Sequence, residues 1–262
     1  ARNGDQVAVI LPLYGQIGQQ WRQQMTFRRY IYVDLGWRHQ YCGLFSLEKD
    51  GVTWYFVDNE HYFCRGALYG EYDDGERFAF FCKAVIDLLP SLDWMPDILH
   101  CNDWQTALVP IYLKDVCTRW EAVRRIRTVF TIHNIEYQGR YGADTVDQLF
   151  GLDRGWYNDG TLQMDGDVTL MKGAMLVSEG VSAGIAGPCA GTGHTADGHR
   201  QPSGGSQGSG YRGAGAGRHH GHRLSAGGAG QGREPLRGLL PRQGVGVRRP
   251  PVGPDHLCRG SG

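Results

Sequence analysis

Two polar clusters in this chain have the residue types and spacing for chemistry on a hydroxylated or phosphorylated ligand. The first is His133-Asn134, which follows the β-branched apolar run of residues 128–132. The second is His100-Cys101-Asn102-Asp103, at the end of a shorter run that begins after Pro96. In an open α/β sheet, ligands settle just beyond the carboxyl ends of the strands. A neutral imidazole there can bond sugar hydroxyls or steady a developing negative charge. A carboxylate beside it accepts hydroxyl protons. Each residue also has a plainer reading. His133 alone is equally a strand-end histidine bonded to a backbone carbonyl, and Asp103 is equally a helix N-cap. Trp104 reads as core, given its apolar partners at helical spacing.

These groups need elements to hold them, and the hydrophobic pattern supplies candidates. Residues 6–11 form a short apolar run ended by Pro12, as expected of a buried parallel strand. Residues 27–35, 41–47 and 52–58 read as strands, the last two joined through Lys49-Asp50-Gly51 as a hairpin. Asp73-Asp74-Gly75-Glu76 opens a helix whose apolar face is Phe78, Phe81, Cys82, Val85 and Leu89, and Pro90 stops it. A strand over 97–101 leads into a helix with inner face Trp104, Ala107, Leu108, Ile111 and Tyr112, which Pro110 should kink. The strand at 128–132 completes a βαβ unit. Residues 141–160 read as loop with short helix, and 168–177 as an apolar helix or a helix–strand junction. The expected fold class is α/β: a Rossmann-like parallel sheet with helices on both faces and a β-hairpin extension.

The charge is divided. Residues 1–183 hold 24 acidic and 17 basic residues, a net of −7, and residues 184–262 hold 3 and 10, a net of +7. The second part also contains 23 of the 40 glycines and one aromatic residue, Tyr211. Its composition is that of a disordered segment. The expected organisation is therefore a folded domain over 1–183 and a low-complexity Gly/Arg-rich tail over 184–262. Arg-Gly spacing in the tail allows RNA binding, and His219, His220 and His222 allow adventitious metal capture; a tail without a role is the simpler reading. The seven cysteines are widely spaced without a CxxC, which favours reduced thiols over a disulfide framework or a zinc site. No apolar run is long enough to span a bilayer and no signal peptide is visible. The expectation is a cytoplasmic protein without membrane or nucleic-acid partners.

Four stretches in order, ILPLYG, YDDGERFAFF, PDILHCNDWQTALVP and TIHNIEYQGRYG, resemble the bacterial glycogen synthase and plant starch synthase family. The resemblance covers about residues 3–183. It implies the N-terminal half of a GT-B architecture, in which two Rossmann-like domains face a cleft. It also implies glucose transfer from ADP-glucose to the non-reducing end of an α-1,4-glucan with retention, in the cytoplasm or, for a plant protein, the plastid stroma. Donor and glucan are the implied ligands, and neither a cofactor nor a metal is required. His133 and Asp103 become the catalytic candidates. Asn134, Gln138, Gly139, Tyr72 and Asp74 become substrate-binding candidates, though Gly139 also reads as an ordinary loop glycine, and Tyr72 and Asp74 as parts of a solvated helix cap. Gln105 stands where the family often has His, so that histidine's role has no carrier here.

The resemblance places a Lys-Thr-Gly-Gly loop upstream of Ala1 and a second domain outside this sequence, so the chain alone is expected to be inactive. The family's continuation after Met171-Lys172-Gly173-Ala174 stops mid-motif near Ala183, which suggests a shifted reading frame beyond it. A nucleotide-sugar-binding module without transferase activity is the alternative. A two-carboxylate hydrolase is disfavoured, because Asp103 has no evident partner carboxylate on a neighbouring strand end.

Overall fold

A computed structural model describes residues 4–183 of the protein; the tail, with its Arg-Gly and histidine features, lies outside the described residues. The strands, in chain order, are β1 (Ala8–Pro12), β2 (Thr26–Leu35), β3 (Arg38–Lys49), β4 (Val52–Asp58), β5 (Ile98–Asn102), β6 (Arg127–Ile132), β7 (Arg140–Tyr141), β8 (Gln163–Met164), β9 (Asp167–Thr169) and β10 (Gly180–Ala183). The α-helices are α1 (Gln19–Arg22), α2 (Glu60–Phe63), α3 (Asp74–Leu88), α4 (Leu108–Val116), α5 (Thr145–Gln148), α6 (Gly155–Asn158) and α7 (Leu170–Val177).

The strands form two main sheets. The first has the order β1-β4-β3-β2, with β1 parallel to β4 and the rest antiparallel. Its β3–β4 hairpin turns where the sequence predicts, with Asp50 at φ 54° and Gly51 at φ 73°. Two consecutive positive φ values are what a tight hairpin turn demands. The second sheet is all parallel, β10-β6-β5. A small third sheet, β7-β9-β8, is built in the stretch expected to be mainly loop. The expected single parallel sheet with a hairpin extension is thus divided, among the described residues, into a mixed and a parallel sheet.

Helix α3 is more deeply set than its single predicted face implies. Besides Phe78, Phe81, Cys82 and Val85, it buries Phe80, Ala84, Ile86 and Leu88. It packs against β2 and β4 of the first sheet and against α4 beside the second. A helix with neighbours on several sides is apolar nearly all round. Lys83 and Asp87 stay partly open and pair with each other at 2.5 Å.

The expected kink at Pro110 does not occur. A 3-10 turn over Trp104–Thr106 ends before α4 begins at Leu108, which places Pro110 in the first turn of the helix. There a missing N–H leaves no intrahelical bond unmade. The β5–α4–β6 unit therefore brings the ends of two parallel strands side by side, with Asn102 in register with Thr131. The 168–177 segment is the helix–strand junction: β9 runs directly into α7.

Candidate functional site

Asp103 lies one residue past β5, and His133 one residue past β6. The Asp103 amide N–H extends the sheet ladder by donating to the Thr131 carbonyl at 2.9 Å. Its carboxylate Oδ1 accepts from the backbone N–H groups of His133 (2.7 Å) and Asn134 (3.2 Å). This corrects the N-cap reading, because the side chain makes no cap hydrogen bond to the turn that follows it. Instead it ties down the start of the next strand's exit loop. Its second oxygen, Oδ2, has no hydrogen-bond partner among the described residues.

The backbone of Asp103 is unusual, at φ 56° and ψ −179°. That region is normally glycine's, and a side-chain-bearing residue there costs of order 1–3 kcal/mol. The strain aims the carboxylate across to the neighbouring strand. Strained backbone of this kind concentrates at functional sites.

The His133 ring is exposed, and its Nε2 sits 3.0 Å from Oδ1 of Asn102. The Asn102-Asp103 pair therefore holds His133 twice, at the ring and at the backbone. Asn134 is exposed and turns its own side-chain oxygen to the Glu136 N–H at 3.0 Å, shaping the loop. Thr106 Oγ1 donates back to the Asn102 carbonyl at 2.8 Å. One step below, His100 Nε2, Thr131 Oγ1 and Ser182 Oγ form a chain of 2.7 Å contacts across β5, β6 and β10. No Lys or Arg hydrogen-bonds to His133, Asn102 or Asp103 among the described residues.

Cys101 belongs to the same motif, yet it is no nucleophile. Burial pushes its thiol up to about 12, and Cys42 likewise. Such thiols stay protonated and inert at neutral pH. Cys42, Cys82, Cys101 and Cys117 are free; Cys64 is not among these. Among the described residues, no three His, Cys, Asp or Glu side chains are grouped to hold a metal.

The remaining predicted site residues separate. Asp74 is held in an internal ion pair. Its Oδ1 accepts from Arg77 at 2.7 Å and its Oδ2 from the Gly70 N–H at 2.6 Å. Arg77, fully buried at 0% exposure, also donates to the Tyr62 carbonyl at 2.7 Å. Tyr72 is 98% exposed and packs on nothing. Gly139, at φ 64°, is required by backbone and packing: an added Cβ would come within 2.9 Å of Trp104 and 3.2 Å of Leu170. Gln138 donates to the Ile135 carbonyl at 3.1 Å. With Ile135 it borders an open, largely apolar groove of about 340 Å³, walled by Met164, Met171, Met175 and Leu176. Trp104 is core, 9% exposed and edge-on to Phe78.

Sequence reasoning named Asn102 within the second polar cluster but gave it no role toward His133. The signal was its place at the strand end immediately before Asp103, in register with the neighbouring strand.

Known proteins share this arrangement of sequence. The glycogen synthase of Clostridium botulinum (strain Alaska E43 / Type E3) is 46% identical over 184 residues, which is 68% of this chain and 38% of that protein. The glycogen synthase of Lactococcus lactis subsp. lactis is 48% identical over 179 residues, 68% of this chain and 37% of that protein. Among solved structures, the catalytic domain of starch synthase IV from Arabidopsis thaliana, bound to ADP and acarbose, superposes with a TM-score of 0.61 at 31% identity. That match covers 69% of this chain and 38% of the other, and the α/β fold here matches that GT-B glycosyltransferase. The chain thus spans well under half the length of the relatives it matches. A family profile described as "Starch synthase catalytic domain" covers residues 1–184. By that match the chain belongs to the starch synthase catalytic domain family.

Proposed function

We propose that this chain is one half of the catalytic cleft of a glycogen (starch) synthase, a retaining glycosyltransferase that moves glucose from ADP-glucose to the non-reducing end of an α-1,4-glucan. What supports the reading is the double hold of Asn102-Asp103 on His133 at two adjacent strand ends, in a chain of this family. His133 and Asn134 face the glucose and distal phosphate of the donor. Asp103 offers its free oxygen to a sugar hydroxyl while its other oxygen holds the loop. No carboxylate of the site is placed as a paired nucleophile, so the transfer proceeds with the leaving phosphate and the acceptor hydroxyl on one face of the sugar. Among the described residues no Lys or Arg bonds to this cluster, so in this reading the positive charge that stabilises the phosphate comes from elsewhere in the cleft. A cytoplasmic site of action, or the stroma of a plastid, belongs to the same reading.

Half a cleft cannot orient donor and acceptor together, and positioning is a large share of catalysis. The expected outcome is that the purified chain binds ADP-glucose weakly and does not incorporate labelled glucose into glycogen. Titration calorimetry and an incorporation assay check the two parts. Turnover near that of an intact relative would overturn the claim of incompleteness. Absence of any binding to ADP-glucose or maltooligosaccharide would overturn the site.

A further inference from the structure

We propose that Asn102 is a positioning residue for His133, fixing the tautomer of its ring and so the direction in which His133 can bond a ligand. Oδ1 of Asn102 is an acceptor with no proton to give, and it lies 3.0 Å from Nε2 of His133. The contact therefore places the ring proton on Nε2. Nδ1 is then bare. It has no hydrogen-bond partner among the described residues, and the ring is exposed.

The consequence is a polarity for the site. A bare Nδ1 accepts a hydrogen bond from a hydroxyl; it does not donate one to a phosphate oxygen. His133 thereby reads a sugar hydroxyl, and the donor groups that meet phosphate are supplied by others. The backbone gives the geometry its rigidity. Asn102 is the last residue of β5, paired in register with Thr131, and Thr106 Oγ1 bonds its carbonyl at 2.8 Å. Asp103 meanwhile clamps the His133 N–H at 2.7 Å. With both ends of His133 tethered, a 180° flip of the ring, which exchanges Nε2 with Cε1 and Nδ1 with Cδ2, breaks the Asn102 contact. Asn102 touches no reacting atom; it acts through His133. Only the ligand-facing part of this inference rests on the functional reading above.

The test is nitrogen-15 NMR of the histidine rings in the full chain, with the His133 signals assigned from a His133→Gln spectrum. The unmodified chain is expected to show a single Nε2–H tautomer at His133. Asn102→Ala is expected to lose that single-tautomer signature and give averaged ring shifts. Asn102→Asp, which keeps an acceptor oxygen, is expected to restore it. An Nδ1–H ring in the unmodified chain, or an unchanged ring in Asn102→Ala, would overturn the proposal. Asn102 is exposed at a strand end, and the remaining resonances report whether each variant is folded. The tautomer is read without ligand, so a failure to bind ADP-glucose sinks the functional reading and leaves this one standing. Conversely, ADP-glucose that shifts a ring found in the Nδ1–H form keeps the function and removes the role of Asn102.

Discussion

Asp103 combines a strained backbone with a two-pronged hydrogen bond, and the two can be separated by substitution. Asp103→Ala loses both bonds to the His133 and Asn134 N–H groups and retains the strain. Asp103→Gly loses the same bonds and relieves the strain. Asp103→Gly should therefore be the more stable of the two variants, by about 1–2 kcal/mol. Urea unfolding of both proteins checks the ordering; equal midpoints would show that the backbone there is unstrained. At this scale residue type and hydrophobic pattern were enough to place His133 and Asp103 at adjacent strand ends. The surroundings of Asp74 were not legible, because its acidic neighbours look like a solvated cap. The deciding fact was Arg77 three residues on, buried beneath it. Spacing of three on a helix is a known signal for a pair, but nothing in the sequence says that this pair faces inward. Gly139 posed the opposite problem. A glycine after a polar loop reads as room for ligand, whereas the room is taken by Trp104 and Leu170.

Among the described elements, α3 contributes the largest share of the core and also carries a buried ion pair. Its Arg77 guanidinium is enclosed with the Asp74 carboxylate and the carbonyls of Tyr62 and Leu68. Removing one partner of a buried pair leaves the other charge unmatched, which costs about 3–5 kcal/mol. Arg77→Met is expected to destabilise the fold by that order, whereas Arg119→Met, at the exposed pair with Asp115, should change it by less than about 1 kcal/mol. Thermal melts of both variants test the contrast. The strands and α3 were readable because alternation and helical spacing are local properties. The small β7-β9-β8 sheet was not. Its strands are two or three residues long, too short for any period to register; Asp165-Gly166, both at positive φ, is the local hairpin signal between β8 and β9, whereas the pairing of β7 with β9 is a tertiary choice. The break before α4 was likewise hidden: Pro110 marks a first turn as readily as a kink, and only the 3-10 turn ahead of it decides.

For the molecule as a whole, the first sheet carries a half-buried acid that sets a pH dependence. Asp58, at the end of β4, has its carboxyl pushed up to about 6, first by burial and then by Glu60, with Arg22 opposing. Its ordinary value is 3.8. A carboxyl raised in the folded state binds its proton more tightly there than in the unfolded chain. It therefore contributes stability at low pH, and that contribution falls away as pH rises from about 4 to about 6. Asp58→Asn should remove this slope and leave the protein more stable at pH 7 by on the order of 2 kcal/mol. Unfolding midpoints of the two proteins across pH 4–7 are the measurement; parallel curves would place the slope elsewhere.

The hold of Asn102-Asp103 on His133 crosses from one strand to another, so it exists only when β5 and β6 are docked in one alignment. A slip of a single residue would bring Cys101 or Asp103 to the place of Asn102 and leave the imidazole without its tether. Occupancy of the pocket must then tighten both strands together. Amide protons on either side should slow their exchange in concert when a sugar nucleotide arrives, making recognition and assembly two views of one alignment.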